Sequence, residues 1–440
     1  MKLFGSSGVR NVVNKDLLLL ALEIGVSVGS SYHSVVVGSD TRTSSDALKH
    51  GLISGLLAAG SRAYDSGIVP TPTIAYAART FECGAMITAS HNPPEYNGIK
   101  LFNPDGSGFD SRQRTEIESI LASRDFKLAP WDGMEAYHTH TGAIEEHIDH
   151  ILDNFSVVPR LRVVLDCGCG AASTVTPYVL RKLGCDLVTV NCHPSGSFPR
   201  GSEPTPENLD VLIKIVKEAD ADLGIAHDGD GDRMMIIDDK GRFVPGDKLL
   251  AILALSLKAK RVVTTVDASM ALDDLGFEVI RTRVGDVFVS EVLREGGDFG
   301  GEPSGSWIFP KMSYCPDGIY AAAQITQIAS ENKLSKLADD LASYPIFRGS
   351  IYGDREMIAG LEQRLTHMEA LSLSTIDGFR LAFKDGWLLI RASGTEPRMR
   401  ITAEARTEER ARALYQTGVE AISECLKVNL AANLEEGNSI

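Results

Sequence analysis

No apolar run in this 440-residue chain is long enough to span a bilayer: the longest, Leu249 to Leu257, is far short of the ~20 residues required. The opening Met1-Lys2-Leu3-Phe4-Gly5 carries no apolar core of a secretion signal. Cysteine is sparse and odd in number: seven residues scattered over the chain fit a reducing cytosol better than a disulfide framework. Cys167-Gly168-Cys169 is too tight for the usual zinc spacing and lacks a second pair, so it reads as core or turn thiols. Positive charge is in the minority, with 44 Lys and Arg against 59 Asp and Glu and a net charge of −15. That balance excludes a general nucleic-acid binder, which needs a basic footprint, but leaves room for an anionic small substrate held by clustered arginines. No Gly-x-x-x-x-Gly-Lys-Ser/Thr string is present, so any bound phosphate belongs to no P-loop nucleotide. The expectation is a cytoplasmic protein with no membrane and no nucleic-acid partner.

At this length a single core is insufficient and several domains are expected. One pattern recurs three times: a β-branched strand, a small or polar turn, a helical segment ending near Gly, and another strand. It runs Val35 to Asp65, Val163 to Val190, and Val262 to Ile280, with helices ending at Gly60, Gly184 and Gly276. Strands alternating with helices call for mixed or parallel sheets covered on both faces, and three spaced copies suggest three related α/β domains. The C-terminal part differs. Trp387 to Ile390 and Ile401 to Ala403 read as strands flanking a loop from Arg391 to Arg400, and Thr407 caps the next helix, with Glu408 and Glu409 in its first turn. This pattern implies a fourth, smaller α+β domain.

Four stretches carry chemistry. Thr88-Ala89-Ser90-His91-Asn92-Pro93-Pro94, continuing to Lys100, comes directly after the apolar run Ala85-Met86-Ile87. It reads either as a βα turn whose prolines start a helix, or as a rigid loop presenting a serine that carries a covalent group. His227-Asp228-Gly229-Asp230-Gly231-Asp232-Arg233 sets three carboxylates at alternate positions between apolar flanks. Enclosed, their repulsion calls for a divalent cation, and a hard ion such as Mg²⁺ fits three oxygens with room for a phosphate oxygen and water. An EF-hand fails on spacing, because Arg233 and Asp239 stand where it needs Gly and Glu, which disfavours a Ca²⁺-binding module. Gly300-Gly301-Glu302-Pro303-Ser304-Gly305-Ser306 reads by itself first as a simple turn, though its glycines permit close approach of a ligand and Glu302 can accept hydrogen bonds from sugar hydroxyls. Arg391-Ala392-Ser393-Gly394-Thr395-Glu396-Pro397-Arg398-Met399-Arg400 offers hydroxyls, backbone N–H groups and three guanidinium forks, the parts of a phosphate cradle. Ser90 lacks the Gly-x-Ser-x-Gly elbow of a serine hydrolase.

Together these strings resemble the α-D-phosphohexomutases over nearly the whole chain, from Ser6-Ser7-Gly8-Val9-Arg10 to Pro397, with all four signature loops in family order. The region from Gly301 to Pro310 and the Phe4-Gly5-Ser6 start look most like the archaeal-type members described as phosphoglucosamine mutases or phosphomannomutase/phosphoglucomutases. The resemblance implies α/β domains around a central cleft: 1–140 with the phosphoserine, 141–240 with the metal loop, 241–345 with the sugar loop, and an α+β domain, 346–440, for phosphate. It implies an isomerase that interconverts hexose 6-phosphates and 1-phosphates through phosphorylated Ser90 and a bisphosphorylated sugar, glucosamine phosphate being favoured. One Mg²⁺ per chain would be held by Ser90, Asp228, Asp230 and Asp232, and a bisphosphorylated sugar would serve as activator. Arg10 and Lys100 would line the reacting phosphate, with Lys100 the candidate for proton transfer and His91 either its partner in that step or a hydrogen bonder that orders the loop. Arg233, Glu302 and Ser304 would hold substrate, and Arg391, Ser393, Gly394, Thr395 and Arg400 its non-reacting phosphate. Ser306 stands where many members carry His, so no role for that histidine transfers to this chain. The partner is a phosphorylated hexose, and the chain is expected to work as a monomer or homodimer. A Mg²⁺-dependent sugar phosphatase is the rival from a different class.

Overall fold

The computed structural model describes residues 3–5, 7–157, 160–353, 358–365, 368–393 and 397–435. By compactness the chain divides into two units, Met1–Val262 with Gly285–Asp340, and Val263–Val284 with Leu341–Ile440.

The first unit opens with a six-stranded mixed sheet. Its strands are β1 (Val9–Val12), β2 (Ser34–Ser39), β3 (Arg62–Ile68), β4 (Cys83–Ile87), β5 (Tyr96–Phe102) and β6 (Tyr137–Thr139), in the order β1-β5-β4-β2-β3-β6. β2 runs parallel to β3 and β4, while β5 is antiparallel to both β1 and β4. The period-2 alternation of a strand explains the burial: Val35, Val37, Ala85 and Ile87 pack with α1 (Lys15–Gly29) and α2 (Ser45–Ala58), whereas Val36 and Met86 join Ile74 and Phe102 in a separate core. With both faces covered, strands of consecutive apolar residues are stable, and the polar groups collect at the strand ends.

A second sheet in this unit has β7 (Arg162–Asp166), β8 (Asp186–Val190), β9 (Leu223–His227) and β10 (Met234–Ile237), ordered β10-β9-β7-β8. β7 is parallel to β8 and β9, and β10 closes back antiparallel on β9. Later in the chain comes a hairpin, Phe299–Glu302 with Ser306–Ile308, in the register Glu302 opposite Ser306. Among the described residues no helix is long and apolar enough to cross a membrane.

The second unit holds a five-stranded antiparallel sheet, ordered Ile346–Tyr352, Arg398–Ala405, Gly386–Ala392, Phe379–Phe383, Ser372–Ser374. The helix from Glu408 packs Ala411, Leu414 and Ile422 into its core, and the Thr407 hydroxyl caps it by accepting from the Arg410 N–H at 3.3 Å. The two flanks of the Arg391–Arg400 stretch are more structured than the expected open loop. Arg391 is in register with Arg400 and Ala392 with Met399, because antiparallel pairing continues to the Ser393 N–H, which donates to the Arg398 carbonyl at 2.7 Å. The third repeat also departs from expectation. Between Thr265 and Glu278 the chain makes only a short 3₁₀ turn, Met270–Asp274, where the Glu404 carboxylate accepts from the Ser269 hydroxyl at 2.6 Å and the Met270 N–H at 2.7 Å.

Candidate active site

Ser90 stands just beyond the buried strand β4, and the next element is β5 rather than a helix, so the βα-turn reading is excluded. Ser90 itself takes a left-handed backbone with φ of 50°, a conformation costly for a non-glycine residue that survives only where its surroundings enforce it. They do so here. The Thr88 hydroxyl accepts from the Ser90 N–H at 2.8 Å and donates to Asp40 at 2.7 Å. The buried Arg42 guanidinium donates to the carbonyls of Ser90, Asn92, Pro93 and Tyr96 at 2.6–3.0 Å, and its Nε pairs with Asp40 at 3.0 Å. Ser202 adds hydrogen bonds to the carbonyls of His91, at 2.5 Å, and Asn92, at 2.9 Å.

The loop after β9 brings its carboxylates to this serine. Ser90 Oγ donates to Asp228 Oδ2 at 2.8 Å, and Asp228, Asp230 and Asp232, all buried, have ligand oxygens within 4.8 Å of one another. A Cβ on Gly229 would lie 2.6 Å from the Ser90 carbonyl, so glycine is what lets the two loops meet. Burial, then the charges of Asp232 and Asp230, push the Asp228 carboxyl well above the usual range. Burial also pushes Asp232 up, with Asp230 adding to it. For Asp230 burial is outweighed by the Lys100 ammonium and by hydrogen bonds from Lys100 and Thr71, and its pKa falls below the ordinary value. Asp230 Oδ1 and Asp232 Oδ1 are buried without a hydrogen-bond partner. Converging carboxylates with idle buried oxygens fit a hard divalent cation bound together with an oxygen on Ser90.

Cations ring this centre. Lys100 Nζ donates to Asp230 Oδ2 at 2.8 Å and Asp232 Oδ2 at 2.5 Å. Burial disfavours its ammonium, but these two carboxylates outweigh that and hold its pKa above the ordinary value. Arg10 reaches Asn92 Oδ1 at 3.2 Å and the Ser7 hydroxyl at 3.0 Å. His91 Nδ1 lies 3.4 Å from Ser90 Oγ, and the Arg233 charge, burial and Arg10 draw its pKa down to about 2, so the ring is neutral. Arg233 pairs with Glu203 at 2.9 Å.

The Gly301–Gly305 hairpin is fastened to the exit of the acidic loop. Arg233 bridges to Ser306, the Met234 N–H donates to the Gly305 carbonyl at 3.0 Å, and Trp307 Nε1 donates to the Met234 carbonyl at 2.8 Å. Ser306, where the expected histidine is missing, is thus a buried pairing residue. Glu302 is buried and accepts from the Gly285 N–H at 2.8 Å, while Ser304 is exposed at the turn. Gly285 precedes the helix Asp286–Glu295, and half-buried Asp286 lines one cavity with Lys100, Asp232 and Thr71. In the second unit, Arg391 Nη1 lies 3.4 Å from Asp377, Ser393 is buried, and Arg400 is exposed. Ser6, Gly394 and Thr395 lie outside the described residues.

Residues 1–128, 145–241 and 245–344 match alpha/beta/alpha domains I, II and III of phosphoglucomutase/phosphomannomutase, and residues 352–420 match that family's C-terminal domain. The chain belongs to the phosphoglucomutase/phosphomannomutase family. It is similar to a probable phosphoglucosamine mutase of Methanosarcina acetivorans, 49% identical over 437 residues, covering 97% of this chain and 100% of the other. A probable phosphoglucosamine mutase of Pyrococcus abyssi is 42% identical over 446 residues, covering 97% and 99%. Among solved structures, a phosphoglucomutase/phosphomannomutase family protein from Burkholderia thailandensis superposes with a TM-score of 0.86 at 27% identity, covering 97% of each chain. The activity is that of a phosphohexomutase, an isomerase of hexose phosphates. Such enzymes are generally Mg²⁺-dependent, and the buried aspartate cluster suits that ion.

Sequence reasoning missed the supports of this phosphohexomutase site: Asp40, Arg42, Thr71, Ser202 and Asp286. Asp40 and Arg42 had a signal, a charged pair directly after a buried strand at the carboxyl edge of parallel β2 and β4, where ligand sites in such sheets collect. Thr71, whose hydroxyl donates to Asp230 at 2.5 Å, and Ser202 carried none, since their partners lie more than a hundred residues away.

Proposed function

We propose that this protein interconverts glucosamine 6-phosphate and glucosamine 1-phosphate by passing a phosphoryl group between Ser90 Oγ and the sugar. The observation that carries the reading is Ser90 Oγ, held in a left-handed turn, 2.8 Å from a buried aspartate cluster. The full-length likeness to relatives named probable phosphoglucosamine mutases supports the sugar. So do the carboxylates of Glu302 and Asp286, groups suited to an ammonium on the substrate.

In this mechanism the P–O bond to phosphorylated Ser90 breaks as one forms to the free hydroxyl of the bound hexose phosphate, giving a bisphosphorylated sugar. The other phosphoryl group then returns to Ser90, and the isomer leaves. A bisphosphorylated sugar from solution acts as activator by phosphorylating Ser90. Asp228, Asp230 and Asp232, with an oxygen on Ser90, would hold Mg²⁺, whose contribution is to neutralise charge on the phosphoryl oxygens. Arg10, Lys100 and Arg233 add positive charge around the reacting group. Lys100, held as an ammonium by Asp230 and Asp232, is the candidate to donate a proton to the sugar oxygen, and the neutral His91 ring orients the serine oxygen. Glu302 and Ser304 take sugar hydroxyls, and the Arg391–Arg400 stretch takes the non-reacting phosphate. The enzyme is proposed to act in the cytoplasm.

The test compares kcat/KM for glucosamine 6-phosphate, mannose 6-phosphate and glucose 1-phosphate on one preparation with Mg²⁺ and a bisphosphate. Glucosamine phosphate should give the highest value, and a higher value for either rival overturns the specificity. Ser90→Ala should nearly abolish turnover with an unchanged circular dichroism spectrum. A substantial residual rate, or release of inorganic phosphate in step with substrate loss, overturns the carrier.

A further inference from the structure

Cys167 and Cys192, just beyond the ends of β7 and β8, have no part in the chemistry above, yet they are placed for chemistry of their own. Asp166 and Val190 are opposite one another in parallel register, so Cys167 and Cys192 leave the same edge of neighbouring strands. Their sulfurs lie 3.4 Å apart in a thiol–thiol hydrogen bond. Cys192 Sγ also sits 3.4 Å from the Leu165 carbonyl and 3.2 Å from that of Val190, contacts that keep it beside its partner. Cys167 is fully buried and Cys192 half-buried, so solvent reaches the pair from one side.

We propose that Cys167 and Cys192 form an oxidation site, a dithiol that closes to a disulfide under peroxide and slows the enzyme in doing so. The Cys192 sulfur attacks the peroxide O–O bond, giving a sulfenic acid and releasing water. The Cys167 thiol then displaces hydroxide from that sulfur, and a second water leaves with the thiol proton. Two thiols and one hydrogen peroxide thus give one disulfide and two waters, the sulfurs losing the two electrons that reduce the peroxide. The division of labour reflects the environments: burial pushes the Cys167 thiol well up, whereas the hydrogen bond with Cys167 draws Cys192 below the ordinary thiol value. The thiols of Cys83, Cys185, Cys315 and Cys425 are all pushed up by burial.

A route to the active site is built into the turn. A disulfide requires sulfurs about 2.05 Å apart, so the pair must close by more than an ångström. Cys167 starts the turn whose Cys169 carbonyl accepts from Thr41 at 3.0 Å, beside Arg42, and whose Cys169 N–H donates to the Asn191 carbonyl at 2.7 Å. Four residues on, the Ala171 N–H donates to the carbonyl of Gly229, between Asp228 and Asp230, at 2.9 Å. Arg200 ties Asp166 Oδ2, at 2.9 Å, to the His227 carbonyl, at 2.5 Å. Movement at Cys167 therefore reaches both the acidic loop and the anchor of the serine loop.

The full chain, purified reduced, is treated with hydrogen peroxide, its remaining thiols are blocked, and it is analysed by intact mass, peptide mapping and mutase rate. The expected results are loss of two hydrogens, a Cys167–Cys192 linked peptide, and a rate lower by about tenfold or more, since small misplacements of reacting groups are costly. A thiol reductant should restore both mass and rate. Cys192→Ser should keep the parent rate and ignore peroxide, with Cys192→Ala as a second variant should serine prevent folding. A linkage between other cysteines, oxygen added to sulfur without a crosslink, an undiminished rate in the linked enzyme, or a Cys192→Ser enzyme slowed as much as the parent would each overturn the proposal.

Discussion

Ser90 is held by other residues in a backbone conformation it would not choose alone. The largest share of that work falls to Arg42, whose guanidinium meets four carbonyls of the serine loop and the Asp40 carboxylate. Lysine keeps the charge next to Asp40 but is a point donor and cannot span four acceptors. Arg42→Lys should therefore lower kcat, on the order of 100-fold for a misplacement near 1 Å, and leave KM little changed. Steady-state kinetics with saturating bisphosphate checks this, and a fall confined to KM would show that Arg42 does not act through Ser90. The Arg391–Arg400 stretch in the second unit makes a separate prediction. Arg391→Ala should raise KM roughly 10- to 150-fold, the equivalent of losing about 1.5–3 kcal/mol from one charge-assisted hydrogen bond. An unchanged KM would remove that stretch from substrate binding.

Elements set the spacing between these residues. β4 and β9 deliver Ser90 and Asp228 from the carboxyl ends of strands in two different sheets, and the Glu302 hairpin is stitched to the start of β10 by backbone pairing. The helix Gly246–Ser256 starts directly beneath that hairpin, where a Cβ on Gly246 would lie 1.8 Å from the Pro303 carbonyl oxygen. Gly246→Ala must shift one or the other. Since the helix is buried along most of its length, the hairpin is the part that yields, carrying Glu302 with it. An about tenfold or greater fall in kcat/KM is expected, chiefly through KM. Kinetics indistinguishable from the parent would mean that Glu302 is positioned by other contacts.

For the molecule as a whole, the electrostatic weak point is the aspartate cluster. Three buried carboxylates, two of them pushed above their usual pKa, destabilise the first unit unless cations offset them, and Lys100 offsets only part. A cation that binds the folded chain and not the unfolded one stabilises it by mass action, about 2.7 kcal/mol when its free concentration is 100 times its Kd. Exhaustive chelation should therefore abolish turnover and lower the thermal unfolding midpoint, and Mg²⁺ should restore both. A midpoint insensitive to Mg²⁺ would place the ion elsewhere.

Local sequence was enough to reveal the alternating α/β elements of the first two repeats, the C-terminal strands around the Arg391–Arg400 stretch and four candidate site strings, because strand periodicity, turn residues and closely spaced charges are local properties. It could expose the crowding of Asp228, Asp230 and Asp232, since their repulsion is written in their spacing. Three-dimensional packing was needed to establish that β5 rather than a helix comes after the serine loop, that Lys100 lies between two of those aspartates, and that Arg42 and Ser202 hold the serine. It also brought Cys192 to Cys167, 25 residues apart in sequence and 3.4 Å apart in space. Such contacts depend on which strands become neighbours, and that choice is made by burial of the whole sheet rather than by any residue's local preference.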